Sequence, residues 1–278
     1  MNPQFEVWAY GGCGARGPFG AGVTRALVDA GEAPDYMTGT SAGALTAAGI
    51  SHVGLSATEE IWLSIMSRSD VFGTQLNPLD PDFYLGKWNS KPLAKIIASV
   101  ITPDTPAKIP YLVTVSDLQT MQMHYARSDS NPQCVLSNYV LASASIPVAV
   151  VPVAKRYVDG GCVDNAPLKP GIDEMPPEGG RITLILGSNL YPVYPSTWKP
   201  LTAIDVAVRA LEIGFDTAVR NDVDCCMYQN QLPGKKPVTL RVIQPPADWR
   251  MGMLEFDPMQ MYEAYQMGIS AGKEALRV

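Results

Sequence analysis

The feature that most constrains the fold of this 278-residue chain is a serine between glycines, Gly39-Thr40-Ser41-Ala42-Gly43. A short apolar run precedes it, and an alanine-rich segment of helical character follows. A serine on a tight strand-to-helix turn has a strained backbone, which glycines two positions away on either side accommodate. The spacing therefore predicts a nucleophilic Ser41 hydroxyl at a helix N-terminus, where the helix dipole favours developing negative charge. An ordinary turn before a helix is the simpler alternative.

A second glycine-rich turn, residues 11–17, follows a predicted strand at 5–10 and precedes a predicted helix at 18–30. Glycines leave consecutive amides unshielded at a helix N-terminus, and such amides bind anions. Consecutive strand-loop-helix units of a parallel sheet bring their loops to the same carboxyl edge. We therefore expect these amides to face Ser41, where they can stabilise an oxygen that acquires negative charge.

The same letters, Gly12-x-Gly14-x-x-Gly17, also match the dinucleotide-binding fingerprint. In that fold an acidic residue ends the second strand, about 20 positions further on, and binds a ribose. Asp35 is near that distance, but it precedes the next predicted strand instead of ending it. The pattern therefore favours a loop that serves Ser41 over a nucleotide site.

Composition narrows the function classes. Apolar residues make up 46% and charged residues 17%, which is typical of a globular chain, and the net charge of −6 argues against nucleic-acid binding. Five cysteines without metal-ligand spacing predict neither a zinc site nor a disulfide framework, and acidic residues near the motifs do not cluster as metal ligands. No secretory signal or long apolar span is recognisable, so we expect a cytoplasmic protein.

Strands and helices alternate along the chain without a repeat or linker, which predicts a single α/β domain over residues 1–278. Residues 68–90 form a long Gly-, Pro- and Asp-rich stretch with aromatics, for which a lid or lipid-facing surface and an ordinary packed excursion are both open. The two histidines are His52, just past a predicted helix, and His124, within a strand pattern, and both are interpreted as structural. A Ser-His-Asp triad is therefore not expected.

A third motif, Asp159-Gly160-Gly161, follows the run Ala142-Ser143-Ala144-Ser145-Ile146-Pro147. Alone it reads as a turn. In order, the glycine-rich loop, the Ser41 turn and this motif resemble the patatin-like phospholipases, over residues 5–168. One departure is Cys13, where the family usually has a third glycine; a Cβ there could narrow an oxyanion hole.

The resemblance implies a three-layer α/β/α fold with a mainly parallel central sheet. It also implies a lipid acyl hydrolase of the phospholipase A or lysophospholipase type, without cofactor or metal, in which Ser41 is the nucleophile and Asp159 the general base. The oxyanion hole would come from the amides of Gly12, Cys13 and Gly14, with Arg16 orienting the loop. Supporting motif positions are Gly17, Gly39, Gly43, Gly160 and Gly161. The substrate would be a lipid or fatty-acyl ester, transient membrane contact stays open, and a catalytically idle patatin-fold binding protein is the alternative.

Overall fold

The computed structural model describes residues 4–74, 79, 81–193 and 202–277. The strands are β1 (Glu6–Tyr10), β2 (Tyr36–Thr40), β3 (Gly73–Thr74), β4 (Gly86–Asn89), β5 (Tyr111–Asp117), β6 (Gln122–Arg127), β7 (Val148–Val150), β8 (Tyr157–Asp159), β9 (Gly180–Ile185) and β10 (Val238–Ile243). The helices are α1 (Gly17–Asp29), α2 (Ala42–Val53), α3 (Leu55–Leu63), α4 (Lys91–Val100), α5 (Gln133–Ser143), α6 (Leu168–Glu174), α7 (Ala203–Gln229) and α8 (Pro258–Ala275). Short 3₁₀ turns cover Gly14–Arg16, Arg68–Asp70, Pro81–Tyr84 and Gly160–Cys162.

The central sheet has the strand order β10-β9-β1-β2-β5-β6, with β8 also paired to β5. The pairs from β10 through β5 are parallel, whereas β6 and β8 run antiparallel to β5. This confirms the mainly parallel α/β sheet expected from the alternation of strands and helices.

Helices cover both faces of the sheet. Successive side chains of a strand point to opposite faces, and those of the central strands are apolar on both, so each face needs a layer of helices to bury it. In β1, Trp8 and Tyr10 join the larger core with α1, α2 and α8, and Val7 and Ala9 join the smaller core with α6 and α7. The result is the three-layer α/β/α arrangement.

The register around β5 brings two strand ends together. β2 pairs with β5 up to Thr40 opposite Thr114, and β8 pairs with it from Asp159 opposite Val115. Because β6 occupies the other edge of β5, β8 continues along the edge where β2 stops, in the opposite direction. The carboxyl ends of β2 and β8 therefore face each other.

The apolar spacing of residues 57–67 predicts a helix over that range, whereas α3 covers Leu55–Leu63. The Asp70 carboxylate accepts hydrogen bonds from the backbone amides of Met66 and Ser67, both at 2.9 Å. Those contacts start a new 3₁₀ turn in place of another helical turn. A local side-chain acceptor has competed with the helix for its backbone donors.

In the 68–90 stretch, β3 and β4 join β7 in a small second sheet. Phe72 and Trp88 are buried, as expected for a stretch that packs on the rest of the fold. Tyr84, by contrast, is 78% exposed. The described residues exclude five positions of that stretch, 75–78 and 80, together with residues 1–3, 194–201 and 278. Among the described helices, none combines the length and apolar character that a membrane span requires.

Candidate active site

Ser41 lies at the turn between β2 and α2, with φ of 56° and ψ of −124°. Positive φ is uncommon for a residue with a side chain, so the turn is strained as the glycine spacing predicts. A Cβ on Gly39 would lie 2.6 Å from the Gly43 carbonyl oxygen, and one on Gly43 would lie 2.2 Å from the Tyr10 carbonyl oxygen. Neither glycine can be replaced without moving the backbone that carries Ser41.

Segment 142–147 is hydrogen-bonded to the backbone of both Ser41 and Asp159, where β2 and β8 end. The Ser41 amide donates to Ser143 Oγ at 2.9 Å, and the Asp159 amide donates to the Ser145 carbonyl at 3.0 Å. The sequence contained this run as part of the family resemblance, but nothing in the letters indicated these two contacts. One segment thus fixes the backbone of both candidate catalytic residues.

Asp159 is fully buried beside Ser41. Burial raises the pKa of its carboxyl to about 7, while the Ser41 hydroxyl and the Gly161 amide each lower that pKa. The Gly161 amide donates to Oδ1 at 2.8 Å, and Oδ2 has no hydrogen-bond partner within the described residues. The hydroxyl therefore lies close enough to act on the carboxyl, without completing a hydrogen bond to Oδ2.

One amide of the glycine-rich loop that was expected to be an oxyanion donor already has another acceptor. The Gly12 amide donates to the Asn165 carbonyl at 3.1 Å and so cannot donate to an oxyanion. The amides of Cys13 and Gly14 donate to no acceptor among the described residues, and both Gly14 and Ser41 line one apolar cavity. The Cys13 thiol is buried against Gly187, and burial raises its pKa to about 12, so the thiol is neutral at physiological pH.

Asn165 ties the first and third motifs together. Its side-chain amide donates to the Gly12 carbonyl at 3.1 Å, while its own carbonyl accepts the Gly12 amide. A Cβ on Gly12 would lie 2.2 Å from Asn165 Oδ1 and 3.0 Å from Ser41 Cβ. Asn165 is one of the residues that follow the Asp159-Gly160-Gly161 motif in the family resemblance, but the sequence assigned it no role.

Arg16 is buried beneath the glycine-rich loop. Its Nε donates to the Met251 carbonyl and its Nη2 to Glu212 Oε1, both at 2.7 Å. Arg209 reaches the other carboxylate oxygen of Glu212 at 3.0 Å. The loop is therefore bound to α7 and to the segment before α8, and neither partner was foreseen.

The remaining motif glycines allow close contacts. A Cβ on Gly17 would lie 2.3 Å from the Trp62 ring, and one on Gly160 would lie 2.2 Å from the Thr114 carbonyl oxygen. Gly161 lies between Asn165 Oδ1 and the Phe215 ring of α7. The Asp159 turn is thus packed directly against β5 and α7.

The structure places both histidines away from Ser41. His52 is buried and hydrogen-bonds the Tyr111 hydroxyl at 3.0 Å, and burial lowers its pKa. His124 lies on β6, across β5 from β8, so its backbone is about 10 Å from that of Asp159.

Asp35 lies at the start of β2, where its carboxylate accepts the Glu6 amide at 2.8 Å. That is the edge of the sheet opposite the glycine-rich loop, so the acidic residue required by the dinucleotide alternative is absent from the loop's side. Within the described ranges, no group of three or more His, Cys, Asp or Glu side chains could hold a metal ion.

Comparison with known proteins gives a family match over the same motifs. The family model described as patatin-like phospholipase matches residues 9–172. The structure of VipD from Legionella pneumophila is similar to the chain with a TM-score of 0.50 and 13% identity, over 100% of this chain and 67% of VipD. At that identity the similarity concerns the fold alone. A search of curated proteins found no significant match.

Proposed function

The chain belongs to the patatin-like phospholipase family, a family of lipid acyl hydrolases, and we propose that it hydrolyses fatty-acyl esters of lipids as a phospholipase A or lysophospholipase-type esterase. The observation that carries the proposal is the pairing of a strained Ser41 with a buried Asp159 whose pKa is raised to about 7. A carboxylate of ordinary pKa is a weak base at neutral pH, and burial removes that weakness.

In the first half of the reaction, Asp159 takes the hydroxyl proton while Ser41 Oγ attacks the ester carbonyl carbon. The carbonyl oxygen becomes an oxyanion, for which the amides of Cys13 and Gly14 are the proposed donors, and each such donor contributes about 3 kcal/mol to transition-state stabilisation. Collapse of the tetrahedral intermediate expels the alcohol, which receives the proton from Asp159. The product is an acyl ester on Ser41.

In the second half, Asp159 removes a proton from water, and the resulting hydroxide attacks the acyl carbonyl. The same amides stabilise the second oxyanion, and the proton returns to Ser41 Oγ as the fatty acid leaves. No cofactor enters either half. Asp159 serves as base and acid in turn, which suits a pKa near the working pH.

The test is labelling and turnover. A fluorophosphonate probe should label the wild-type protein and fail to label Ser41→Ala, and ester hydrolysis should fall about 10³-fold or more in that variant. An idle binding protein would keep its lipid affinity with no labelling of the parent chain. Esterase activity retained in Ser41→Ala would assign the nucleophile elsewhere.

We further propose that the enzyme meets lipid through an apolar patch defined by Tyr84, Leu85 and Val148, which are 78%, 40% and 48% exposed. These residues border one open groove with Trp88, whose ring stacks on Phe72 at 6.3 Å. Phe72 in turn lines the cavity that contains Ser41. Two buried, stacked rings therefore connect the groove to the wall of the Ser41 cavity, and the exposed apolar patch is the proposed interaction surface.

The net charge of −6 gives no overall attraction to an anionic interface, but Lys87 lines this groove, so zwitterionic vesicles test the apolar contribution of the patch alone. Leu85→Asp should weaken co-sedimentation with phosphatidylcholine vesicles about tenfold, because it places a charge where a leucine would enter the interface. Met227→Asp, on an exposed apolar residue of α7, is the matched control and should bind like wild type. Equal vesicle binding by wild type and both variants would show that the patch does not contact the lipid interface.

A further inference from the structure

Two apolar cavities lie in series behind Ser41. The proximal chamber, with a cavity volume of about 40 Å³, contains Ser41, Ala42 and Phe256 in its wall. The distal chamber, with a cavity volume of about 50 Å³, contains Ala48, Ile97 and Val140 in its wall. Both volumes exceed the roughly 10–15 Å³ that a single water molecule needs, so each chamber has room for several methylene-sized groups.

The chambers share four wall residues, Leu45, Trp62, Ile65 and Leu93. The shared wall makes the two chambers neighbours, and these four side chains form a constriction between them. Val100, Ile101 and Val140 are buried and form part of the distal wall, away from the site.

Helix α2 runs alongside both chambers. Its N-terminal residues Ala42 and Leu45 line the proximal chamber, and Ala48 and Gly49, one to two turns later, line the distal one. The helix rises about 1.5 Å per residue, so the path from Ser41 to Gly49 is about 12 Å. A zigzag carbon chain with bonds of about 1.5 Å covers that distance with about ten carbons.

The constriction is held in place at Trp62. The indole Nε1 donates to Thr46 Oγ1 of α2 at 3.2 Å, and the ring lies against Gly17, the last glycine of the loop beside Ser41. An aromatic side chain anchored at its polar end is a rigid wall. Its position is therefore set by the same helix and loop that position the nucleophile.

We propose that the distal chamber binds the methyl end of the acyl chain, and that Trp62 and its three neighbours set the chain-length preference of the enzyme at about ten carbons. The inference rests on the proposed function, since the acyl carbonyl must be at Ser41. Shorter chains leave the distal chamber unfilled, and each methylene that enters it should raise kcat/KM about fourfold. Chains much longer than the path should gain nothing more.

The test uses p-nitrophenyl esters from butanoate to hexadecanoate. Wild type should show a maximum near decanoate. Ala48→Leu fills the distal chamber and should lower the decanoate-to-butanoate ratio of kcat/KM by about tenfold or more, since it excludes two or more methylenes. Ala98→Leu makes the same change on the exposed side of α4 and should keep the wild-type ratio.

A binding measurement separates the two possible failures. Decanoate titrated into Ser41→Ala should bind with an affinity that the added Ala48→Leu change reduces about tenfold. That result without any ester hydrolysis by the parent protein would overturn the proposed function and leave the chamber as a fatty-acid site. Hydrolysis through Ser41 with an unchanged chain-length ratio in Ala48→Leu would overturn this inference alone.

Discussion

Asp159 is the residue whose environment makes the sharpest prediction for activity. Burial raises its pKa to about 7, and only the deprotonated carboxylate can accept the Ser41 proton. We expect kcat/KM for a short, soluble ester to rise with pH through about 7 and to level off above it. The measurement is a pH–rate profile from pH 5 to 9, and a flat profile over pH 5–7 would contradict Asp159 as the base.

The same pKa shift carries a stability cost. The pKa is raised on folding from 3.8 to about 7, so the folded protein binds the proton more tightly and loses stability as pH rises through that window. Asp159→Asn should therefore increase the free energy of unfolding at pH 8 by a few kcal/mol while changing little at pH 4. Urea unfolding at both pH values measures this.

Asp104→Asn serves as the control for that stability measurement. Asp104 is exposed, so neutralising it should produce no comparable difference between pH 4 and pH 8. A destabilised Asp159→Asn at pH 8 would show that the carboxylate charge is favourable in the fold.

Individual residues differed in how far the sequence could place them. Ser41 and Asp159 belong to short motifs whose glycines determine the local turn conformation, and the two residues are neighbours in the structure. The expectation that the Gly12 amide is an oxyanion donor was wrong, because this amide already donates to the Asn165 carbonyl. Asn165 is 153 residues away in the chain, so the sequence did not indicate that contact. Spacing within a loop cannot reveal a hydrogen bond to a segment that only the fold brings near.

At the level of elements, α7 holds the glycine-rich loop through the buried Arg16–Glu212 ion pair. We expect Glu212→Gln to lower kcat about tenfold while leaving KM for a short ester nearly unchanged, because oxyanion donors act in the transition state. Steady-state kinetics measure the split. Lys169→Gln, which removes an exposed ion pair on α6, should change neither constant. An effect of Glu212→Gln confined to KM would show that the pair does not position the donors.

The sequence patterns predict strands over 110–117, 121–126 and 238–243 and a helix from 258 onward, and the structure has β5, β6, β10 and α8 there. α6 was missed because Pro170 and Gly171 lie inside it, and both residues have poor helix propensity. The sequence places Asp159 at a strand end, but the three residues of β8 are too few for a period. Yet β8 delivers Asp159, so the element most needed for the site had the weakest local signal.

At the scale of the whole molecule, the family match ends at residue 172, but the site does not. Glu212 and Met251 anchor Arg16, Phe215 packs against Gly161, and Phe256 lines the Ser41 cavity. The sequence could predict only the α/β character of this last hundred residues, because these contacts join positions up to 235 residues apart. The interdependence supports the expectation of one domain, which stays a prediction.

That expectation has a direct test at the α1–α8 contact. A Cβ on Gly268 would lie 2.1 Å from the Phe19 carbonyl oxygen, so Gly268→Ala should destabilise the protein by about 2 kcal/mol or more. Gly214→Ala is the matched control, since its Cβ would meet nothing within 4 Å and alanine favours a helix by about 1 kcal/mol. If residues 1–278 form one domain, circular dichroism, tryptophan fluorescence and esterase activity should follow a single transition, shifted down by the first variant and up by the second. Two separate transitions, of which Gly268→Ala moves only one, would divide the chain.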